Sequence, residues 1–218
     1  MNSLLGNPTV EFCEKVGTGL IKRPFYALSN LAYIFVGVII LKKGNGERIS
    51  KLFGYTSILI GLLSFIYDAS YTYVAQLLDL LGMFLFVNLL IYLSLKRYTT
   101  ISTRRLLLVQ SLFVLLGWIS VIYFKSYAGE FVFGTFILFL LLLEYLLWKS
   151  GRATNISLWL KGLGLFILGF IIWLPDAMGI ICDPNNYING RSIFHIITSI
   201  TIYLLYKYYK DQNYPNYI

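Results

Sequence analysis

Charge is what this sequence is short of. Only 13% of its 218 residues are charged, while 58% are hydrophobic and mean hydropathy is +0.71. A water-soluble domain carries about a quarter charged residues, so this composition excludes one. Histidine occurs once, at His195, and cysteine twice, at Cys13 and Cys182. No internal repeat, low-complexity tract or long linker interrupts the chain, which reads as one domain. Residues 1–24 contain glutamates and glycines and lack a basic start followed by an apolar stretch, so no cleavable signal peptide is expected. The last apolar run holds no lysine in its middle, which argues against a retinal protein. Broken-helix repeats of the transporter kind are also missing.

What is present is seven apolar runs, at 25–42, 52–70, 76–95, 104–124, 129–148, 157–175 and 191–209. Runs of about 20 apolar residues are membrane-helix lengths. In lipid, only helices or closed barrels satisfy their own backbone, and these runs are too long and too uniformly apolar for barrel strands. The expected fold is an all-α integral membrane protein, a seven-helix transmembrane bundle over 25–209. A tail of 1–24 precedes it and a short tail of 210–218 follows. The net charge of +8 does not indicate nucleic acid, because the basic residues alternate between two sides of the membrane. One side holds Lys42, Lys43, Arg48, Lys51, Lys96, Arg97, Arg104, Arg105, Lys149, Arg152, Lys161, Lys207 and Lys210. The other holds Lys15, Lys22, Arg23, Lys125 and Arg191. By the positive-inside rule the N-terminus lies outside and the C-terminus in the cytoplasm. A bacterial inner membrane and an endomembrane both suit that topology.

The same topology gathers Ser64, Asp68, Asp79, Arg191 and His195 at one depth near the outer ends of three helices. Ionisable residues inside a membrane cost about 2.5–3.5 kcal/mol each on insertion scales and tend to pair and line cavities, so a polar cavity is expected there. Asp176 beside Pro175, and Glu144 among leucines, read instead as residues that snorkel to head groups. Tyr67, Tyr71, Tyr73, Tyr203, Tyr206, Tyr208 and Tyr209 read as interfacial aromatics. Cys13 and Cys182 both fall outside, where a disulfide persists. A bridge between them would clamp the tail over the mouth of the bundle; the alternative is two unpaired thiols.

Four segments carry a family likeness. FCEKVGTGLIKRPFYALSNLAYIFVG (12–37) resembles the opening of alkaline-ceramidase-like proteins, with a Cys-Glu pair and a Ser-Asn-Leu start to the first helix. GLLSFIYDAS (61–70) resembles that family's second-helix motif, LLDLLGMFLF (77–86) its third, and GRSIFHIITSITIYLLYKYY (190–209) its last helix. The resemblance implies a metal-dependent hydrolase that cleaves a ceramide-type lipid amide inside the bilayer. In the family three histidines hold zinc, an aspartate matching Asp79 activates or positions the zinc-bound water, and a serine matching Ser64 supports the water or the oxyanion.

This chain departs from the pattern at the metal. Asp68 stands where the second helix should present a histidine, Arg191 replaces the first histidine of the last helix, and only His195 remains. Carboxylate is an acceptable zinc ligand, but guanidinium stays protonated and repels a cation. The exchange supplies what a salt bridge needs, Asp68 with Arg191. The alternative is a three-ligand site of Asp68, Asp79 and His195, with Arg191 swung away. The family's calcium region in the tail is eroded as well. Glu11 and Glu14 match two acidic ligands, but Arg23 and Val16 replace others, so calcium is not expected. Two functions stay open on the sequence. One is a ceramidase-like hydrolase using Ser64, Asp79 and His195 with an altered metal site. The other is an inactive lipid-binding protein with the Asp68–Arg191 pair in place of zinc. The partner in both is a membrane lipid.

Overall fold

The computed structural model describes residues 6–10, 12–124, 128–184 and 189–214. Among them the only regular elements are helices: α1 (Pro24–Ser29), α2 (Leu31–Lys43), α3 (Arg48–Ser70), α4 (Tyr73–Tyr98), α5 (Thr103–Phe124), α6 (Ala128–Lys149), α7 (Ile156–Ala177) and α8 (Gly190–Lys210). The first two run end to end as one span, Pro24–Lys43. Pro24 opens it, where its missing N–H costs nothing. Seven helical spans therefore result.

Six spans are long and apolar enough to cross a membrane. The last, α8, is 21 residues long but carries Arg191, Ser192, His195, Thr198, Ser199 and Thr201, all buried, on the side facing its neighbours. Its start is fixed by Asn189, whose side chain accepts from the Ser192 amide at 3.0 Å. Between α2 and α3 the backbones touch. A Cβ on Gly37 would lie 2.7 Å from the Gly54 carbonyl oxygen, so glycine is required at this crossing.

The packing order explains the cavity. In the described residues α4 packs on α3, α5 and α6, while α8 packs on α7, α2 and α3. The ring of contacts runs from α6 through α4, α3, α2 and α8 to α7, and between α6 and α7 the packing is sparse among the described residues. A cavity of about 570 Å³ occupies that interior. Some of its wall residues, Leu138 and Ile171 among them, are also exposed on the outer surface, so it opens sideways toward lipid.

Candidate active site in the membrane cavity

One end of the cavity is polar. Ser64 and Asp68 sit one turn apart on α3, Asp79 projects from α4, and Arg191 and His195 sit one turn apart on α8. Ser64, Asp79, Arg191 and His195 line the cavity; Asp68 lies behind them with no exposure. The Ser64 hydroxyl donates to Asp79 Oδ1. Arg191 Nη2 lies 3.6 Å from Asp68 Oδ1 and 3.9 Å from Asp79 Oδ2. Its guanidinium plane stacks on the Phe12 ring, 3.9 Å from the centroid, so the N-terminal tail roofs the site. The Arg191 amide donates to Asp176 Oδ2 at 2.7 Å. Arg191 Nε is buried and makes no hydrogen bond among the described residues.

His195 is held by α1. Its Nδ1 lies 2.8 Å from Ser29 Oγ, and Ser29 Oγ lies 2.8 Å from the Tyr26 carbonyl oxygen, which can only accept. The serine gives its single hydrogen to that carbonyl, so Nδ1 carries the imidazole proton; this assigns Nε2 as the free acceptor. Asn30, the next residue, donates from Nδ2 to Asp68 Oδ2 at 2.9 Å. The Ser-Asn pair thus sets both inner residues of the site.

A second cation is present. Arg23 has no exposed surface, its Nη1 lies 3.8 Å from Asp68 Oδ1, and its guanidinium sits 3.9 Å from the centroid of the Tyr71 ring. Tyr26 and Tyr67 complete this ring of aromatics at 5.8 Å each. Tyr67 and Tyr71 are therefore not interfacial anchors but walls around a buried guanidinium. Burial of Asp68 and Arg191 is tolerable because each charge has partners on several sides.

Glu14 caps α1 from the tail. Its carboxylate accepts from the Phe25 amide at 2.9 Å and the Tyr26 amide at 2.8 Å, two donors that a helix start leaves free. Burial pushes its pKa above the usual range, against the pull of those two amides. Glu11 lies outside the described residues. Cys13 and Cys182 form a disulfide with Cα atoms 5.5 Å apart, tying the tail to the segment between α7 and α8. These two sulfurs and Asp176 lie close enough together to suggest a metal trio. Sulfurs already bonded to each other have no thiolate to offer, so the trio is not a metal site.

Two further expectations need correction. Asp176 does not snorkel: it is buried against the start of α8 and accepts from Arg191. Glu144 does not snorkel either. It is 1% exposed at the opposite end of the bundle and accepts from Ser94 Oγ at 2.6 Å, Tyr209 Oη at 2.9 Å and, in a short bond, Tyr208 Oη. Arg97 pairs with it through both terminal nitrogens, at 3.3 and 3.2 Å. Tyr206, Tyr208 and Tyr209 are buried, not interfacial.

Comparisons with known proteins identify the family. A sequence model of the family described as Ceramidase matches residues 6–213. Mouse alkaline ceramidase 3 is 26% identical over 218 aligned residues, covering 90% of this chain and 80% of the mouse protein. The chain belongs to the ceramidase family. It is a multi-pass, ceramidase-like membrane protein.

The ceramidase-family zinc does not fit these residues. Asp68 Oδ2 is engaged by Asn30, and its Oδ1 faces two guanidinium groups. Among the described residues Asp68, Asp79 and His195 do not converge on a common point within ligand distance. A fixed positive charge lies between the two carboxylates, where a dication would have to sit. The residues that sequence reasoning passed over are Ser29, Asn30, Phe12 and the Arg23 contacts. The Ser-Asn pair was visible as a motif, but nothing in the sequence says that it faces α3 and α8.

Proposed function

We propose that this ceramidase-family protein hydrolyses a ceramide-type lipid amide taken laterally from the bilayer, with the Arg191 guanidinium in the electrostatic role that zinc plays in the family. The observation that supports this most is Arg191 itself. Its guanidinium, held between Asp68 and Asp79, belongs to the wall of a cavity whose polar end also holds the Ser64–Asp79 pair. The lipid enters between α6 and α7, its acyl chain lies in the apolar part, and its amide carbonyl accepts from Arg191. Asp79 takes a proton from a water as that water attacks the carbonyl carbon. The negative charge that develops on oxygen falls to Arg191 and, once Asp79 holds the water's proton and no longer needs the serine's, to the Ser64 hydroxyl turned toward it. Collapse breaks the C–N bond while the proton passes from Asp79 to the leaving nitrogen, giving a fatty acid and an amine. His195, fixed by Ser29, offers Nε2 to a hydroxyl of the lipid.

The topology proposed with this function places residues 1–24 outside, 25–209 in the membrane and 210–218 in the cytoplasm. The thirteen-to-five distribution of basic residues supports it. The disulfide at the tail end suits an oxidising side. The membrane is a bacterial inner membrane or an endomembrane.

A second reading is binding without turnover. The observation favouring it is that Asp68 and Asp79 together neutralise Arg191, leaving little positive charge for an oxyanion. Full-length protein in nanodiscs, freed of metal by chelation and checked by elemental analysis, distinguishes the two. Release of fatty acid from ceramides, lost in Asp79→Asn, supports hydrolysis. Saturable ceramide binding with no product supports the second reading and contradicts the first.

A further inference from the structure

The polar cluster accounts for one end of the cavity; its other end has a distinct feature. Beyond Thr201 the walls become apolar and the cavity stops at Trp159, Gly162 and Leu205. A second hollow of about 280 Å³ adjoins Trp159; it reaches Glu144 and is open on the side of the exposed Tyr145, Trp148 and Leu160. Trp159 and Leu141 are walls of both. Trp159 is only 8% exposed and belongs to the buried core. The indole is therefore a wall that the two spaces share.

We propose that Trp159 sets the length of the acyl chain this protein accepts. The inference rests on the lipid-amide reading above and adds a substrate class to it: amides whose acyl chain ends at the indole. From His195 to Leu205 the α8 axis advances about 15 Å at ~1.5 Å per residue, which is a medium-length extended chain. A longer chain that stays inside the bundle, instead of turning out through the side opening, must push a packed tryptophan aside. Chains arriving from a bilayer leave hydrocarbon rather than water, so extra methylenes bring little hydrophobic gain. Discrimination comes from the clash, and overpacking a filled site costs enough to weaken binding by about tenfold or more. Removing the indole opens the smaller hollow and gives the longer chain somewhere to go.

The test is a chain-length series of synthetic ceramides, short to very long, bound to the full-length protein in nanodiscs by competition with one fluorescent ceramide. Wild type is expected to bind medium chains about tenfold or more tightly than very long ones. Trp159→Ala abolishes that ratio, and Trp159→Phe, which keeps a ring, retains most of it. Leu160→Ala touches only the smaller hollow and leaves the profile unchanged. Should Trp159→Ala not fold, Leu141→Ala thins the same wall and is expected to relax the ratio in the same direction. A flat wild-type profile, or a profile unmoved in folded Trp159→Ala or Leu141→Ala, overturns the ruler while leaving the lipid-amide reading intact. Failure of wild type to bind ceramides of any length overturns both.

Discussion

Arg191 Nη2 stands 3.6 Å from Asp68 Oδ1 in the interior of the bundle, where the sequence motifs lead one to expect two metal-binding histidines. A cation and an anion stand in place of the two neutral ligands and the dication that the resemblance implies. Electrostatics makes the exchange self-consistent. The site keeps a positive centre between Asp68 and Asp79 without importing an ion.

The first prediction concerns that pair. Arg191→Ala leaves Asp79 with no cation and Asp68 with Arg23 alone, and breaking a buried pair costs about 3–5 kcal/mol. The thermal midpoint in detergent should fall sharply. The double substitution Asp68→His with Arg191→His should acquire zinc, read by calorimetric titration. A single Arg191→Ala variant as stable as wild type would show that the pair contributes nothing.

Glu144 gives the second. Glu144→Ala strands Arg97 in the same environment and should also cost about 3–5 kcal/mol, whereas Glu144→Gln keeps one acceptor oxygen for the tyrosine pair and should cost less. Ceramide binding should survive in Glu144→Gln, because the cluster is at the opposite end of the bundle from Asp79. Equal midpoints for wild type and Glu144→Ala would contradict the account.

Most of the helical frame could be read from the chain, because a run of twenty apolar residues has few other physical outcomes. The polar stripe of α8 could be read too, since Arg191, His195 and Thr198 recur at helical spacing. The buried role of Glu144 was not legible. A lone acid among leucines looks the same whether it reaches for head groups or meets Ser94, Arg97, Tyr208 and Tyr209, which lie 47 to 65 residues away. Arg23 was hidden for the same reason: its aromatic walls come from the tail, α1 and the end of α3. Glu14 read as a leftover metal ligand because the free amides it caps become visible only when the tail folds back on α1.

The disulfide supports a third prediction. It closes a loop with a sequence separation of 169 residues, and removing a bridge of that reach costs up to about 4–5 kcal/mol on the chain-entropy view. Cys13→Ser with Cys182→Ser should lower the midpoint and speed hydrogen exchange over residues 12–26, where the tail roofs Arg191. Unchanged exchange there would mean that the tail is held by Phe12 and Glu14 alone.

Glu14 sets a pH dependence. Burial raises its pKa above the ordinary 4.5, so the native carboxyl holds its proton more tightly than the unfolded one. Its contribution to stability is therefore complete below the unfolded pKa and is lost as pH rises through the elevated native value. Tail protection at the Phe25 and Tyr26 amides, corrected for intrinsic exchange, should fall over that window in wild type. Glu14→Gln should flatten the change. A wild-type tail that tightens with rising pH would reverse the sign and contradict the assignment.

The most direct test of the central claim is the metal content of full-length wild-type protein, purified without chelator and assayed beside its ceramide turnover. With a guanidinium in the ion's place, zinc should be far below one per chain, and turnover should be unchanged by chelation. One tightly bound zinc per chain, whose removal abolishes hydrolysis and whose return restores it, would contradict the account.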